Sequence, residues 1–242
     1  MSARKVKLGL LQAGHPPADL EARFGAYPAM FERVLGEDAF DYAVFDVAAG
    51  AFPATVEACE AYLVTGAAAG VYDADRWIAA LKAFLVEAKG RAALVGVCFG
   101  HQIMAEAFGG KVTKSPKGWG VGLHTYETRD RPSWMDASPA IAVPASHQDQ
   151  VVERPPAARV VAASAFTPFG MLAYEDQPAI SIQLHPEFEP AFAQALIETR
   201  RGARIPAEAA QAAVESLNRS NDCGRVAGWI RNFLERAALG RG

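Results

Sequence analysis

Apolar runs of strand length alternate with longer stretches of helical periodicity through the first half of the chain. "VKLGLLQA" (6–13), "YAVFDVA" (42–48), "AYLVTG" (61–66) and "AALVGV" (92–97) are nearly unbroken in apolar character. Strands of a parallel sheet read this way, because helices cover both of its faces. Between them, "PADLEARFGAYPAMFERVLG" (17–36) places apolar residues at helical spacing, with Pro28 as its expected interruption. "DADRWIAALKAFLVEAKG" (73–90) repeats that spacing, with Asp73 or Asp75 placed to cap it and Gly90 to end it. "VEACEAY" (56–62) also reads as helical, which makes packing the default for Cys59. "HQIMAEAFGG" (101–110) carries a helix from the fourth strand to a glycine pair. Strands joined by helices imply right-handed crossovers and a parallel sheet.

After Lys111 the texture changes. "WGVGLHTYE", "AIAVPA", "ARVVAAS", "GMLAYE" and "AISIQL" are short and have few helices between them, which predicts mixed or antiparallel additions to the same sheet. From Glu189 the pattern turns helical again, in "PAFAQALIETRRG", "PAEAAQAAVESLNRS" and "DCGRVAGWIRNFLERAAL", the last with Asp222 as its N-cap. No repeat or low-complexity linker divides the chain. The expected fold is therefore α/β: a mostly parallel open sheet with helices on both faces, extra antiparallel strands and a helical C-terminus. It is read as one domain over 1–242, with its core at about 40–190 and a helical extension at about 189–240.

Composition narrows the function classes. A length of 242 residues, 51% hydrophobic and 21% charged, fits a globular chain with a substantial core. A net charge of −3 implies no basic surface for nucleic acid. No apolar run reaches the roughly 18 residues that cross a bilayer. The N-terminal "MSARKVKLGLLQAG" lacks a long apolar region and a cleavage site, so no signal peptide is expected. The three cysteines, Cys59, Cys98 and Cys223, form no CxxC pair and no zinc-spaced cluster. They argue against a disulfide framework and a structural metal, and fit a cytoplasmic location.

The chemistry concentrates at "GVCFGHQ" (96–102), where the fourth strand bends into a helix. Gly96, Cys98 and Gly100 have the form G-x-C-x-G, a nucleophile elbow with cysteine as the nucleophile. The glycines let strand and helix pack closely around a strained central residue. The helix N-terminus offers free N–H groups and a positive dipole end, both of which favour a thiolate and the oxyanion of acyl transfer. The N–H of Phe99 would be one oxyanion donor. The alternative is a small apolar residue buried in a tight turn.

A cysteine nucleophile calls for a histidine, often oriented by a carboxylate. Of His15, His101, His124, His147 and His185, two have an acid two residues on: His147 with Asp149, and His185 with Glu187. Extended backbone projects i and i+2 to the same side, so spacing alone admits either pair. Context favours the second. His185 ends the apolar strand "AISIQL", and ligands of open α/β sheets bind beyond the strands' C-terminal ends, where Cys98 also lies.

The pairing of G-V-C-F-G-H-Q with L-H-P-E-F (184–188) resembles the class I, or triad-type, glutamine amidotransferases. "TGAAAGVYD" (65–73) is similar to that family's oxyanion loop, although synthetase relatives often read S-G-G-P where this chain has T-G-A-A. "SHQDQV" (146–151) resembles a segment of the glutaminase domain of GMP synthetase and of the plant γ-glutamyl peptidases. The resemblance covers roughly residues 40–190. It implies a flavodoxin-like fold and a hydrolysis in which Cys98 attacks a glutamine or γ-glutamyl amide. His185 would carry the proton and Glu187 would orient it. The oxyanion would lie between Phe99 N–H and the Gly66–Ala67 loop, while Gln102, Ser146 and His147 would hold substrate. It implies no cofactor and no metal. The partner implied is a small-molecule substrate, with neither nucleic acid nor membrane.

Loops 113–125 and 130–145, with Trp119 and Trp134, are the expected lining beyond the γ-glutamyl group. No synthetase module accompanies the motifs. The alternatives are a glutaminase subunit serving a separate synthetase chain and a non-catalytic binding protein of the same fold. A related group of cysteine hydrolases places histidine directly after the nucleophile, where this chain has Phe99.

Overall fold

The computed structural model describes residues 4–239. Eleven strands are β1 (Lys7–Gln12), β2 (Asp41–Asp46), β3 (Ala61–Val64), β4 (Ala93–Val97), β5 (Lys111–Lys114), β6 (Gly120–Thr128), β7 (Ala140–His147), β8 (Asp149–Glu153), β9 (Ala158–Ala163), β10 (Met171–Tyr174) and β11 (Ala179–Ile182). Seven helices are α1 (Ala18–Phe24), α2 (Tyr27–Leu35), α3 (Arg76–Ala88), α4 (Phe99–Ala107), α5 (Pro190–Glu198), α6 (Ala207–Ser216) and α7 (Cys223–Leu239).

Nine strands form one sheet in the order β2-β1-β3-β4-β11-β10-β9-β6-β7. The first five run parallel, and the rest join antiparallel as the short segments after Lys111 predict. A separate ribbon pairs β5 with β8, and the apolar pattern of the sequence marks neither as a strand. Every residue of β3 and β4 is buried, which is why both read as unbroken apolar runs.

Alternation sorts their side chains into two cores. Ala61, Leu63, Val95 and Val97 join α2 and α7 residues such as Phe31 and Trp229 on one face. Tyr62, Val64 and Leu94 join Leu81, Phe99 and Ile103 of α3 and α4 on the other. A third cluster packs α1, α5 and α6 against Leu123 of β6. Among the described residues no helix is long and apolar enough to cross a membrane.

Several local expectations need correction. The break in 17–36 falls at Gly25, whose φ is +89°, a conformation that L side chains resist. Pro28 lies in the first turn of α2, where its missing N–H costs nothing, so it helps to start a helix rather than interrupt one. Cys59 follows a single 3₁₀ turn, Val56–Ala58, in extended backbone, and packs beside Tyr62. Asp75 takes the N-cap position of α3 without a side-chain cap bond, while Asp73 accepts the Gly70 N–H at 2.8 Å. Lys89 ends that helix and Gly90 follows at φ +74°. Asp222 takes the N-cap position of α7, its carbonyl accepting the Val226 N–H at 3.0 Å, while its carboxylate accepts the Ala142 N–H at 2.9 Å and ties the helix to β7.

Candidate active site

β4 delivers Cys98 to the C-terminal edge of the parallel strands. Cys98 is the one non-glycine among the described residues with positive φ, at φ 53° and ψ −104°. Backbone held in such a sparse region costs on the order of 1–3 kcal/mol and persists only where its surroundings impose it. They do here. The Cys98 N–H donates to Ile182 O at 2.9 Å, and Gln102 N–H donates to Cys98 O at 3.0 Å, so strand β11 and helix α4 grip the turn from both sides. The flanking glycines are required by contact. A Cβ on Gly100 would overlap the Val64 carbonyl, and one on Gly96 would lie 2.6 Å from Met104 Sδ.

β11 leads to the second component. His185 sits three residues beyond the strand, pinned by its N–H to Pro144 O at 2.8 Å. Its ring stacks on Phe188, with centroids 3.9 Å apart and planes 7° from parallel. Nδ1–H donates to Glu187 Oε1 at 2.7 Å, and both side chains are almost fully buried. Nε2 and Glu187 Oε2 have no hydrogen-bond partner among the described residues. A Cβ on Gly66 would fall 3.1 Å from His185 Cε1 and 3.7 Å from Cys98 Cβ, so the two side chains meet over the Gly66 backbone. Burial alone would lower the His185 pKa. The charges of Cys98 and Glu187 outweigh it and hold the ring well above its ordinary 6.5.

The other histidines differ. His101 Nδ1 meets Ser181 Oγ at 2.8 Å, locking α4 to β11, and burial pulls its pKa down to about 3. His147 is also pulled down to about 3, by burial and then by neighbouring His124. Its Nδ1–H donates to the Asp149 backbone carbonyl at 3.1 Å, while the Asp149 carboxylate accepts from Tyr72 Oη–H at 2.9 Å. The i, i+2 couple that spacing allowed for His147 and Asp149 therefore does not form. His124 packs edge-on to Phe166, and His15 lies between Gln12 and Asp46. Cys223 opens α7 half-buried, and burial with the Glu187 charge pushes its thiol up to about 12.

The backbone N–H groups of Gly66, Ala67 and Phe99 donate to no partner among the described residues, so all three remain available. Thr65 secures that loop, accepting Ala13 N–H at 3.0 Å and donating to Gly66 O at 3.1 Å. Ala67 keeps negative φ, so alanine serves there without strain.

Cys98 opens on a cleft of about 600 Å³ that Gln102, Ser146 and His147 also line. Gln102 Nε2 donates to Asp149 O at 2.8 Å and to Gln183 Oε1 at 3.1 Å, which fixes the orientation of its amide. Of the two expected lining loops, 113–125 contributes Lys114 and Trp119. Loop 130–145 contributes none, and Trp134 is buried against Phe233. Sequence reasoning missed Arg200 and Arg204, which form part of the wall. The signal was present as three arginines in "RRGAR" (200–204) within a chain of net charge −3. Only folding separates them, since Arg201 forms a bidentate pair with Glu198 outside the cleft.

Residues 40–200 match the family model for glutamine amidotransferase class-I. A glutamine amidotransferase-like protein of Schizosaccharomyces pombe is 28% identical over 165 residues, 67% of this chain and 65% of its own length. Gamma-glutamyl peptidase 2 of Arabidopsis thaliana is 25% identical over 242 residues, covering 95% of this chain and 96% of its own. A glutamine-hydrolyzing GMP synthase subunit of Methanopyrus kandleri is 35% identical over 109 residues, 43% of this chain and 56% of its own. A glutamine amidotransferase structure from Thermotoga maritima superposes with a TM-score of 0.75 at 17% identity, over 97% of this chain and 99% of the other. That likeness shows the α/β fold, and the family match carries the rest: the chain belongs to the class I glutamine amidotransferase family, an enzyme family of amidotransferases and γ-glutamyl hydrolases.

Proposed function

We propose that this chain hydrolyses the side-chain amide of glutamine or a related γ-glutamyl compound through a thioester on Cys98. The observation that carries the reading is the buried His185–Glu187 couple, 2.7 Å long, beside a cysteine in strained backbone at the floor of an open cleft. The sulfur, its proton lodged on His185, attacks the γ-carbonyl carbon. The carbonyl electrons move to oxygen, which the N–H groups of Phe99 and of the Gly66–Ala67 loop receive. Collapse breaks the C–N bond as His185 gives its proton to the leaving nitrogen. Water then attacks the thioester, His185 takes one of its protons, and glutamate leaves as the cysteine is restored. Glu187 holds the imidazole in the Nδ1–H tautomer throughout and balances the ring's charge. Gln102, Ser146 and His147 would hold the γ-glutamyl end. Residues 40–190 would carry the chemistry, and Arg200 and Arg204 from the C-terminal extension add to the cleft wall.

The test is glutamate release from glutamine and γ-glutamyl peptides by wild type and by Cys98→Ala. Release by the first and none by the second supports the reading; equal release overturns it. A second reading, a glutaminase subunit that passes ammonia to a separate synthetase chain, draws on the similarity to the GMP synthase subunit of Methanopyrus kandleri. It requires weak turnover by the chain alone. Ammonia freed one-for-one with glutamate at an undiminished rate would count against it.

A further inference from the structure

The cleft is built for more charge than glutamine brings. Three cations line it, Lys114, Arg200 and Arg204, against two carboxylates, Asp73 and Asp149. Both carboxylates are already engaged, by Gly70 N–H at 2.8 Å and Tyr72 Oη–H at 2.9 Å. None of the three cations has a carboxylate partner among the described residues, whereas neighbouring Arg201 is paired twice over with Glu198.

Arg200 is the best placed of them. Its guanidinium lies over the Trp119 ring, 5.2 Å from the centroid, and Nη1 donates to Ser146 Oγ at 2.6 Å. The stacked ring and that one bond hold the group rigid while leaving most of its five donors unused. It is half-buried, and burial draws its pKa below the ordinary arginine value. A partly desolvated cation with no carboxylate paired to it is unfavourable, and a ligand carboxylate relieves it.

The zwitterionic γ-glutamyl end carries one carboxylate and one ammonium, so it leaves the surplus positive charge unanswered. Within the hydrolase reading, on which this inference rests, that end occupies the part of the cleft near Cys98, Gln102, Ser146 and His147, and Arg200, donating to Ser146 Oγ, stands at its border. What remains for the group on the amide nitrogen is the wall of Lys114, Trp119, Arg200 and Arg204. We propose that Arg200, backed by Arg204, binds a carboxylate on the leaving amine. The preferred substrates are then γ-glutamyl amides of amino acids or short peptides with a free C-terminal carboxylate, rather than glutamine itself.

The experiment compares kcat/KM for glutamate release from a γ-glutamyl dipeptide with a free C-terminus and from the same dipeptide as its C-terminal amide. It uses wild type, Arg200→Ala, Arg200→Lys and Arg204→Ala. Wild type prefers the free acid by about tenfold or more, the scale of one charge-assisted hydrogen-bonding contact. Arg200→Ala brings that preference close to one, chiefly through KM. Arg200→Lys restores part of it, because an ammonium keeps the charge but loses the planar fork. Added salt narrows the wild-type preference and leaves that of Arg200→Ala unmoved.

An acid-to-amide ratio near one in wild type overturns the subsite, and so does a ratio that Arg200→Ala leaves intact. The wild-type ratio decides even where Arg200→Ala fails to fold. Absence of glutamate release from either dipeptide and from glutamine would instead overturn the hydrolase reading, and this subsite with it.

Discussion

In the parallel half of the sheet, β4 ends at Cys98 and its neighbour β11 leads to His185 and Glu187. In the antiparallel half, β7 ends at Ser146 and His147, and the segment after α5 brings Arg200 against them. Both halves reach one cleft, yet they make opposite use of burial. Around His185 the protein supplies its own compensating charges and the ring is held protonated. Around His147 it supplies only a backbone carbonyl and the ring is held neutral. At Arg200 it supplies a serine hydroxyl and no carboxylate partner among the described residues. The lesson is that the reacting centre is electrostatically complete, while the recognition wall leaves charge for the ligand to answer.

Removing the nucleophile should have the largest effect. Cys98→Ala loses about 10⁴-fold or more in glutamate release, read by a coupled glutamate assay on folded protein. Next comes Glu187→Gln, which keeps the shape and removes the charge. We expect kcat to fall roughly 10²-fold, the scale of a mispositioned general acid–base. Near-normal activity in that variant would mean that the parallel half does not depend on its internal ion pair.

The elbow itself is tested by Gly100→Ala. The added methyl overlaps the Val64 carbonyl, so urea unfolding should show a loss of about 1–3 kcal/mol, the usual scale of overpacking.

The subtlest contrast lies in the pH dependence of stability. His185 has a folded pKa above its unfolded 6.5, so its contribution is full below 6.5 and is lost as pH rises through the folded value. His101 and His147 have folded values near 3, so the unfolded chain takes up their protons first and stability declines as pH falls from 6.5 toward 3. Urea midpoints across pH should therefore drop on both sides. His185→Gln should flatten the alkaline limb alone, and a profile parallel to wild type would show that the ring is not held charged.

The same contrast explains what could be read from sequence. The parallel half is written in local patterns: unbroken apolar runs for β3 and β4, glycines at 96 and 100, and an acid two residues after His185. Each is a short-range requirement of strand, turn or ring orientation. Local reading went astray where two physical meanings share one residue. Pro28 breaks a helix interior but favours a first turn, and the positive φ that divides α1 from α2 sits at Gly25. The His147–Asp149 spacing matched the His185–Glu187 spacing, and in the fold the Asp149 carboxylate is taken by the Tyr72 hydroxyl, 77 residues away, while His147 turns to the Asp149 backbone carbonyl. Arg200 lies 54 residues from Ser146 and reaches it because α5 and α6 pack on β6 and β7, a tertiary fact with no local signature.

The central claim is covalent, and it can be caught directly. Wild-type protein mixed with a γ-glutamyl substrate and quenched in acid within a turnover should yield a peptide containing Cys98 that is heavier by one γ-glutamyl acyl group. The adduct should be hydroxylamine-labile and absent from Cys98→Ala. Turnover that proceeds with no acyl group on Cys98, or with the adduct on Cys59 or Cys223, would contradict the account.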